Sequence, residues 1–285
     1  MNTIDTWPRW VKNFDELPQS FMESFRNTTL GVDAFPCTVF APPDTWNRRR
    51  TTPKVISVTD NHLLISEKNK KTINNRAIPF NEIICIETGT VLLKSWIKIG
   101  CIHENQVFWE SIIYNTVAKR IFENITQKIK EKLLGVMPGP CQQEEKVKFN
   151  WLIKPNYKFM NFGKQSIQNG ESVIRMLLQQ EISEKFYRYF TKTLTSAHLT
   201  ILTDKELVII NEGESKNPRQ QSRYGGTWHY LPLAQLTKLS ISEDLESNLI
   251  KFTAHLSGET EVTNLFGSEK RDELMQLLTE FEKIK

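Results

Sequence analysis

The chain has little of what localised chemistry usually requires. It has four cysteines, Cys37, Cys85, Cys101 and Cys141, and none forms a CxxC pair. Three of them stand in strand-like surroundings, which reads as buried reduced thiols and not as a disulfide framework. Five histidines (His62, His103, His198, His229 and His255) fall at no metal-ligand spacing, and there is no HExxH. No GxSxG elbow occurs, and the nearest approach to a phosphate loop, Gly225-Gly226, lacks the Lys-Ser/Thr that should follow it. No apolar run approaches the roughly 20 residues that span a bilayer. The opening MNTIDTWPRW has no basic-then-apolar leader. One-signed charge is scarce too: the net charge is +4, short of a nucleic-acid-binding signature. These absences point away from an enzyme, a metal site, a bound cofactor and a nucleic-acid partner. They predict a cytoplasmic protein and leave peripheral contact with a membrane open.

What the chain does contain is duplication. Residues 55–66 read VISVTDNHLLIS and residues 199–210 read LTILTDKELVII. At an offset of 144, Thr59-Asp60 falls on Thr203-Asp204, Leu63 on Leu207 and Ile65 on Ile209. From IPFNEIICI (78–86) against LPLAQLTKL (231–239) the offset is 153, and it holds without a gap to Lys132 on Lys285. Copy two therefore carries nine extra residues between the two blocks, in the polar stretch ESKNPRQQSRYGG, which reads as an enlarged surface loop. Upstream, SFMESFRNTTLGVDAF (20–35) resembles KFMNFGKQSIQNGESV (158–173) at an offset of 138, with Phe-Met shared. A period of this length indicates tandem domains; solenoid repeats run roughly 20–50 residues. The excess of basic residues lies in copy one, with 18 basic and 14 acidic residues before position 141 and 19 of each after it.

Each copy has the same shape. VISV-TDN-HLLIS is two β-rich runs around a polar turn. Further strand-like runs follow, and in LKSWIKIGCI the residues Ile97, Ile99 and Cys101 alternate with more polar or exposed positions. The period then changes: Val117, Ile121, Phe122, Ile125, Ile129 and Leu133 make one helical stripe, matched by Leu274, Leu277, Leu278 and Phe281. A short helical segment precedes each unit; in copy one, Leu17, Phe21 and Phe25 stand four apart, as a staple onto the domain or an interdomain contact. The expected organisation is a first domain over 1–134 with a helical N-terminal arm, a linker over 135–150 and a second domain over 151–285. Trp7 and Trp10 are expected to dock the arm on the body.

The VTDNHLLIS and LTDKELVII hairpins, the IPFNEI and LPLAQL strands and the closing helices resemble the bacterial pleckstrin-homology-like (PH-like) domain. The resemblance covers about 55–132 and 199–285. It implies an α+β, mostly β chain of two PH-like domains, each a pair of near-orthogonal antiparallel sheets capped by a C-terminal amphipathic helix. It also implies a non-catalytic module that binds peptides, proteins or lipid headgroups, or that assembles into oligomers.

Three stretches are candidates for binding. The first is Arg48, Arg49, Arg50 and Lys54, with Trp46 beside them. On the PH-like reading they lie in the loop between the first two strands, where headgroup-binding PH domains place basic residues. Arginine suits phosphate because its guanidinium donates in a planar fork; the plain alternative is a solvated basic loop. The second is the hairpin tip with Lys68, Lys70, Lys71 and Arg76, either an extension of that patch or a solvated tip. The third is the insertion of copy two, with Arg219, Arg223, Tyr224 and Trp228, a mixture enriched at interaction hot spots. The alternative is a flexible insertion, with Trp228 beginning the next strand and packing inward. The repeated Asp60 and Asp204 read as turn aspartates and not as an acid/base pair. The expected function is that of a binding or scaffolding protein engaging a protein, a peptide or a second copy of itself. Binding of anionic lipid headgroups through the basic loops of copy one is the alternative.

Overall fold

The computed structural model describes residues 6–26, 35, 37–46, 49–70, 72–139, 141–186, 190–212 and 225–285. The fold is α+β and mostly β. Unit one runs β1 (Arg9–Val11), α1 (Gln19–Arg26), β2 (Thr38–Ala41), β3 (Thr45–Trp46), β4 (Arg49–Arg50), β5 (Lys54–Val58), β6 (His62–Asn69), β7 (Thr72–Pro79), β8 (Ile83–Val91), β9 (Lys94–His103), β10 (Gln106–Asn115) and α2 (Lys119–Leu134). Unit two runs α3 (Gln143–Val147), α4 (Tyr157–Ser166), β11 (Val173–Gln179), β12 (Ile182–Phe186), β13 (Phe190–Thr195), β14 (His198–Thr203), β15 (Glu206–Glu212), β16 (Gly226–Pro232), β17 (Leu236–Asp244), β18 (Leu249–Leu256), β19 (Thr260–Phe266) and α5 (Arg271–Ile284). Among the described residues no helix is long and apolar enough to cross a membrane.

The repeated Thr-Asp hairpin closes in the same way in both units, and threonine is what closes it. Thr59 Oγ1 accepts from the His62 amide and donates to the His62 carbonyl, and Thr203 makes the same two bonds with Glu206. The aspartates do other work: Asp60 pairs with Lys132 at 2.7 Å, and Asp204 accepts from the Ser172 amide at 2.8 Å. The two prolines of the next motif also match. Pro79 and Pro232 both have φ −58° and each introduces a 3-10 turn, over 80–82 and 233–235. The tight β9–β10 turn puts Glu104 and Asn105 at φ 49° and 64°, the left-handed pair that a two-residue hairpin needs.

Each unit's first sheet is covered on both faces. In unit one, Ile56, Val58, Leu63 and Ile65 face the core closed by Phe122, Ile125 and Ile129 of α2. Val55 and Phe40 face the other way, onto Leu17, Phe21 and Phe25. In unit two, Leu207 and Ile209 face the core closed by Leu274, Leu277 and Phe281 of α5, while Val208 and Ile210 face Phe159 and Met160 of α4. Phe21 and Phe159, equivalent at the upstream offset, thus do the same packing job. The expected staple is a staple onto its own sheet in both copies. The helical stripe begins one turn later than its spacing predicts, because Val117 lies in a 3-10 turn and is exposed. Gly135 ends α2 in the left-handed conformation, φ 62°. Trp10 packs on the core of unit one, whereas Trp7 is exposed.

The two units are not beads on a string. One sheet of seven strands, in the order β10-β9-β8-β16-β15-β14-β11, runs through both. Its seam is the antiparallel pair β8–β16, with Thr90, Gly89, Thr88, Glu87 and Ile86 opposite Gly226, Thr227, Trp228, His229 and Tyr230. β8 is buried on both faces: Ile83 and Ile86 belong to the core of unit one, Ile84 and Cys85 to that of unit two. Gly225 permits the close approach, since a Cβ there would sit 2.1 Å from the Thr90 carbonyl oxygen. The stretch 135–150, expected as a linker, holds α3 and begins a 3-10 turn over 148–153; Cys141 and Phe149 are buried in the cluster under α4.

Candidate functional site

Three of the basic residues singled out in copy one converge on a single groove of about 440 Å³, lined by Arg50, Lys54, Arg76, Glu67, Trp109 and Glu110. The carboxylates decide its character. Glu110, on β10, is buried, and Lys54 Nζ lies 3.2 Å from its Oε2 and 3.6 Å from Glu67 Oε1. Arg76 is ion-paired with the other Glu110 oxygen and stacks 5.8 Å from the Phe108 ring. Two of the three cations are therefore already paired with carboxylates of the fold, Lys54 buried and Arg76 at the surface. Arg50 is exposed, Lys70 is exposed at the β6–β7 tip with φ 50°, and Lys68 is half-buried beside it. Arg49 lies on β4. Arg48 and Lys71 lie outside the described residues, as do Arg219, Arg223 and Tyr224 of the insertion.

Trp228 is not a loop residue. It lies on β16, buried at the seam, edge-on to Phe162 at 4.8 Å and with Lys119 Nζ 5.8 Å from its ring centroid. Strand alternation carries its indole inward, onto the α4 side.

The seam itself is held by a buried charge cluster. Lys130 points from α2 of unit one into unit two, with its side chain 2% exposed. Its Nζ lies 2.8 Å from Glu206 Oε1, donates to the Ser166 carbonyl at 2.8 Å and sits 3.9 Å from the Tyr230 ring centroid. Burial pushes the Glu206 carboxyl up to about 8 against the pull of Lys130. The neighbouring Glu171 is raised by the same cause. A second cluster marks the exposed side of the seam. Glu87 accepts from Trp96 Nε1 and Lys98 Nζ, both at 2.8 Å, and faces His229 in the register. Burial pushes the Glu87 carboxyl up, but the Lys98 and Trp96 bonds overcome it and hold the group below its usual range.

Above Lys130 opens a cleft of about 490 Å³ between the units. Lys119, Glu123, Asn124 and Gln127 of α2, Lys146 of α3, Lys164 at the end of α4, and the aromatic residues Trp228 and Tyr230 line it. No protein-family model and no curated protein matches this chain. The site is therefore read from its own geometry.

The tertiary structure also assembles a relay invisible in the sequence. His255 Nε2 is 2.8 Å from Ser240 Oγ, and His255 Nδ1 is 2.9 Å from Glu261 Oε1. Glu261 on β19 stands directly opposite His255 on β18, and Ser240 on β17 lies diagonally, two residues on from Lys238, the residue opposite His255. They line neither the groove nor the cleft, and such a cross-strand polar ladder is ordinary on a half-exposed sheet face. His198 has a different role: burial lowers its pKa to about 4, and its ring packs 4.5 Å from that of Phe266. Among the described residues no group of three or more His, Cys, Asp and Glu side chains could hold a metal.

Proposed function

We propose that the chain is a non-catalytic binding and scaffolding protein of two PH-like units, and that unit one takes up an extended segment of a partner protein along β7. One observation carries this reading. β16 of unit two accepts β8 as an added strand, and β7 is its counterpart in unit one. β7 has β6 on one side and no strand on the other among the described residues. Its residues Asn74, Asn75, Arg76 and Ala77 are exposed. Strand addition draws affinity from main-chain hydrogen bonds and specificity from alternate side chains.

A second copy of the chain is a weaker occupant. Its open β17 is the counterpart of β8, but at the repeat offsets Lys130 becomes Lys283 and Glu206 becomes His62. The charge cluster that holds the internal seam would be missing. The headgroup reading loses support for a related reason: Lys54 and Arg76 already serve Glu110.

Neighbouring residues of a strand direct their N–H groups to opposite edges. Of Asn74→Pro and Asn75→Pro, one therefore removes only an outward donor and keeps the fold. Peptides enriched from a displayed random library should bind the native protein and fail to bind that variant. Enrichment of no peptide, or equal binding to the folded proline variant, would sink the reading. Sedimentation of the pure protein addresses the second-copy alternative.

A further inference from the structure

We infer that the cleft at the seam is a binding site for a small organic anion with two or more negative charges, a phosphate monoester or a polycarboxylate. The inference is independent of the β7 edge, and four observations lead to it.

The first is size and place. A volume of about 490 Å³ between two units falls within the roughly 300–1,000 Å³ typical of small-molecule sites, which favour domain interfaces.

The second is charge. Lys119, Lys146 and Lys164 come from three different helices and line the same space, with Glu123 the only acidic residue among the lining side chains. Lys146 has no salt-bridge partner among the described residues. Lys164 donates to the neutral Asn150 Oδ1 at 2.8 Å, which leaves its charge uncompensated. Lys119 pairs with Glu123 at 3.1 Å, but both side chains are more than a third exposed. Such a pair is worth about 0–1 kcal/mol, so a dianion can displace the Glu123 carboxylate.

The third is the floor. Lys130 lies buried between Glu206 and the Ser166 carbonyl and is not among the exposed cations. It does occupy the Ser166 carbonyl at the C-terminal end of α4, a group that would otherwise repel an anion.

The fourth is the wall. Trp228 and Tyr230 give an apolar face, while the side-chain amides of Asn124 and Gln165 lie among the lining groups. An ion alone needs no such face; an organic body carrying the anion does. Lysine ammonium groups act as point charges and do not impose the planar fork of arginine. Phosphate and carboxylate are therefore admitted alike.

The test is calorimetric titration of the full chain with pyrophosphate and with citrate at low ionic strength. Both should bind, and affinity should fall as sodium chloride is added. In the double variant Lys146→Gln/Lys164→Gln affinity should fall about tenfold or more, and Lys146→Arg/Lys164→Arg should restore it. The loop double variant Arg50→Gln/Lys70→Gln should bind as the native protein does. Because glutamine keeps most of each lysine stem, thermal melts should place the cleft variant within a few degrees of the native protein. No heat from either probe overturns the site, and so does binding that survives intact in the cleft variant. Competition by vesicles of phosphatidylcholine with phosphatidic acid, whose headgroup is a phosphate monoester, separates the sources. Displacement of pyrophosphate names a lipid headgroup as the source of the anion, and failure to displace it names a soluble ligand; either outcome upholds the cleft.

Discussion

Strands β8 and β17 occupy the same place in the two units, and their sequences are IICIETGTV and LTKLSISED. The first is buried on both faces because a second unit lies along its edge. The second keeps Thr237, Lys238, Ser242 and Glu243 exposed, and no strand lies along its outer edge among the described residues. The closing helices differ in the same sense. Besides its own core stripe, α2 buries Thr126, Lys130 and Glu131, whereas α5 buries only Leu274, Leu277 and Phe281. One fold, used twice, thus acquires two surfaces. The unit that donates a strand is apolar on both sides of that strand, and the unit that receives it places a carboxylate, Glu206, under the donor's lysine.

The largest expected break in this comparison is Lys130→Ala. It leaves Glu206 and Glu171 buried without their cation and should cost about 3–5 kcal/mol in urea unfolding. The equivalent change, Lys283→Ala on exposed α5, should stay within about 0.5 kcal/mol. The Lys130 penalty should grow as pH rises toward 8, where the Glu206 carboxyl ionises in the native protein.

Next is Gly225→Ala. The new methyl meets the Thr90 carbonyl, so the seam must shift, at a cost of about 1–3 kcal/mol. Hydrogen exchange should quicken along β8–β16 before it does elsewhere. The counterpart of Gly225 in unit one is Thr72, whose exposed side chain should tolerate Thr72→Ala with little change.

pH sharpens the comparison from two sides. The folded-state pKa of His198 is held down to about 4, below its ordinary value of 6.5. The stability it contributes is present above 6.5 and lost as pH falls toward 4. The carboxyl of Glu206 is raised from 4.5 to about 8, so its contribution is full below 4.5 and lost as pH rises toward 8. Urea midpoints measured against pH should therefore fall off on both sides of a mildly acidic maximum. His198→Gln should flatten the acid limb and Glu206→Gln the alkaline one. A profile unchanged by either substitution would contradict the assignment.

The smallest effect tests what the copies share. Thr59→Val removes the two turn bonds to His62 and should cost about 1 kcal/mol. Thr203→Val removes the same two and also the bond from the Lys205 amide, and should cost more in equilibrium unfolding; a smaller cost at Thr203 than at Thr59 would show that the two hairpins are not closed alike.

Much of each unit was legible in its own residues. Polar turns between β-branched runs marked the hairpins, and the Phe122–Ile125–Ile129 and Leu274–Leu277–Phe281 spacings marked the helices. The upstream Phe-Met match, carried by few identities, corresponds to a real equivalence between α1 and α4. The candidate site was less legible. Arg50, Lys54 and Arg76 do gather in one groove, but nothing in the sequence marks Glu110, far along the chain, as the carboxylate that pairs with two of them. Trp228 belongs to a strand and not to the insertion. No local spacing links Lys130 on α2 to Glu206 on β15, although the fold pairs them at 2.8 Å. The unbroken apolar run IICI was the one signal that β8 would be covered on both faces.

By itself the sequence determined the repeated unit, since hairpins and amphipathic helices follow from side-chain period and turn chemistry over a few residues. Only the tertiary structure decided that the two units share one sheet, that Lys130 is buried and that a cleft lined with lysines opens beside it. Those facts depend on which strand edge meets which. That is settled by packing and charge between residues far apart in the chain, where no local spacing records the partner.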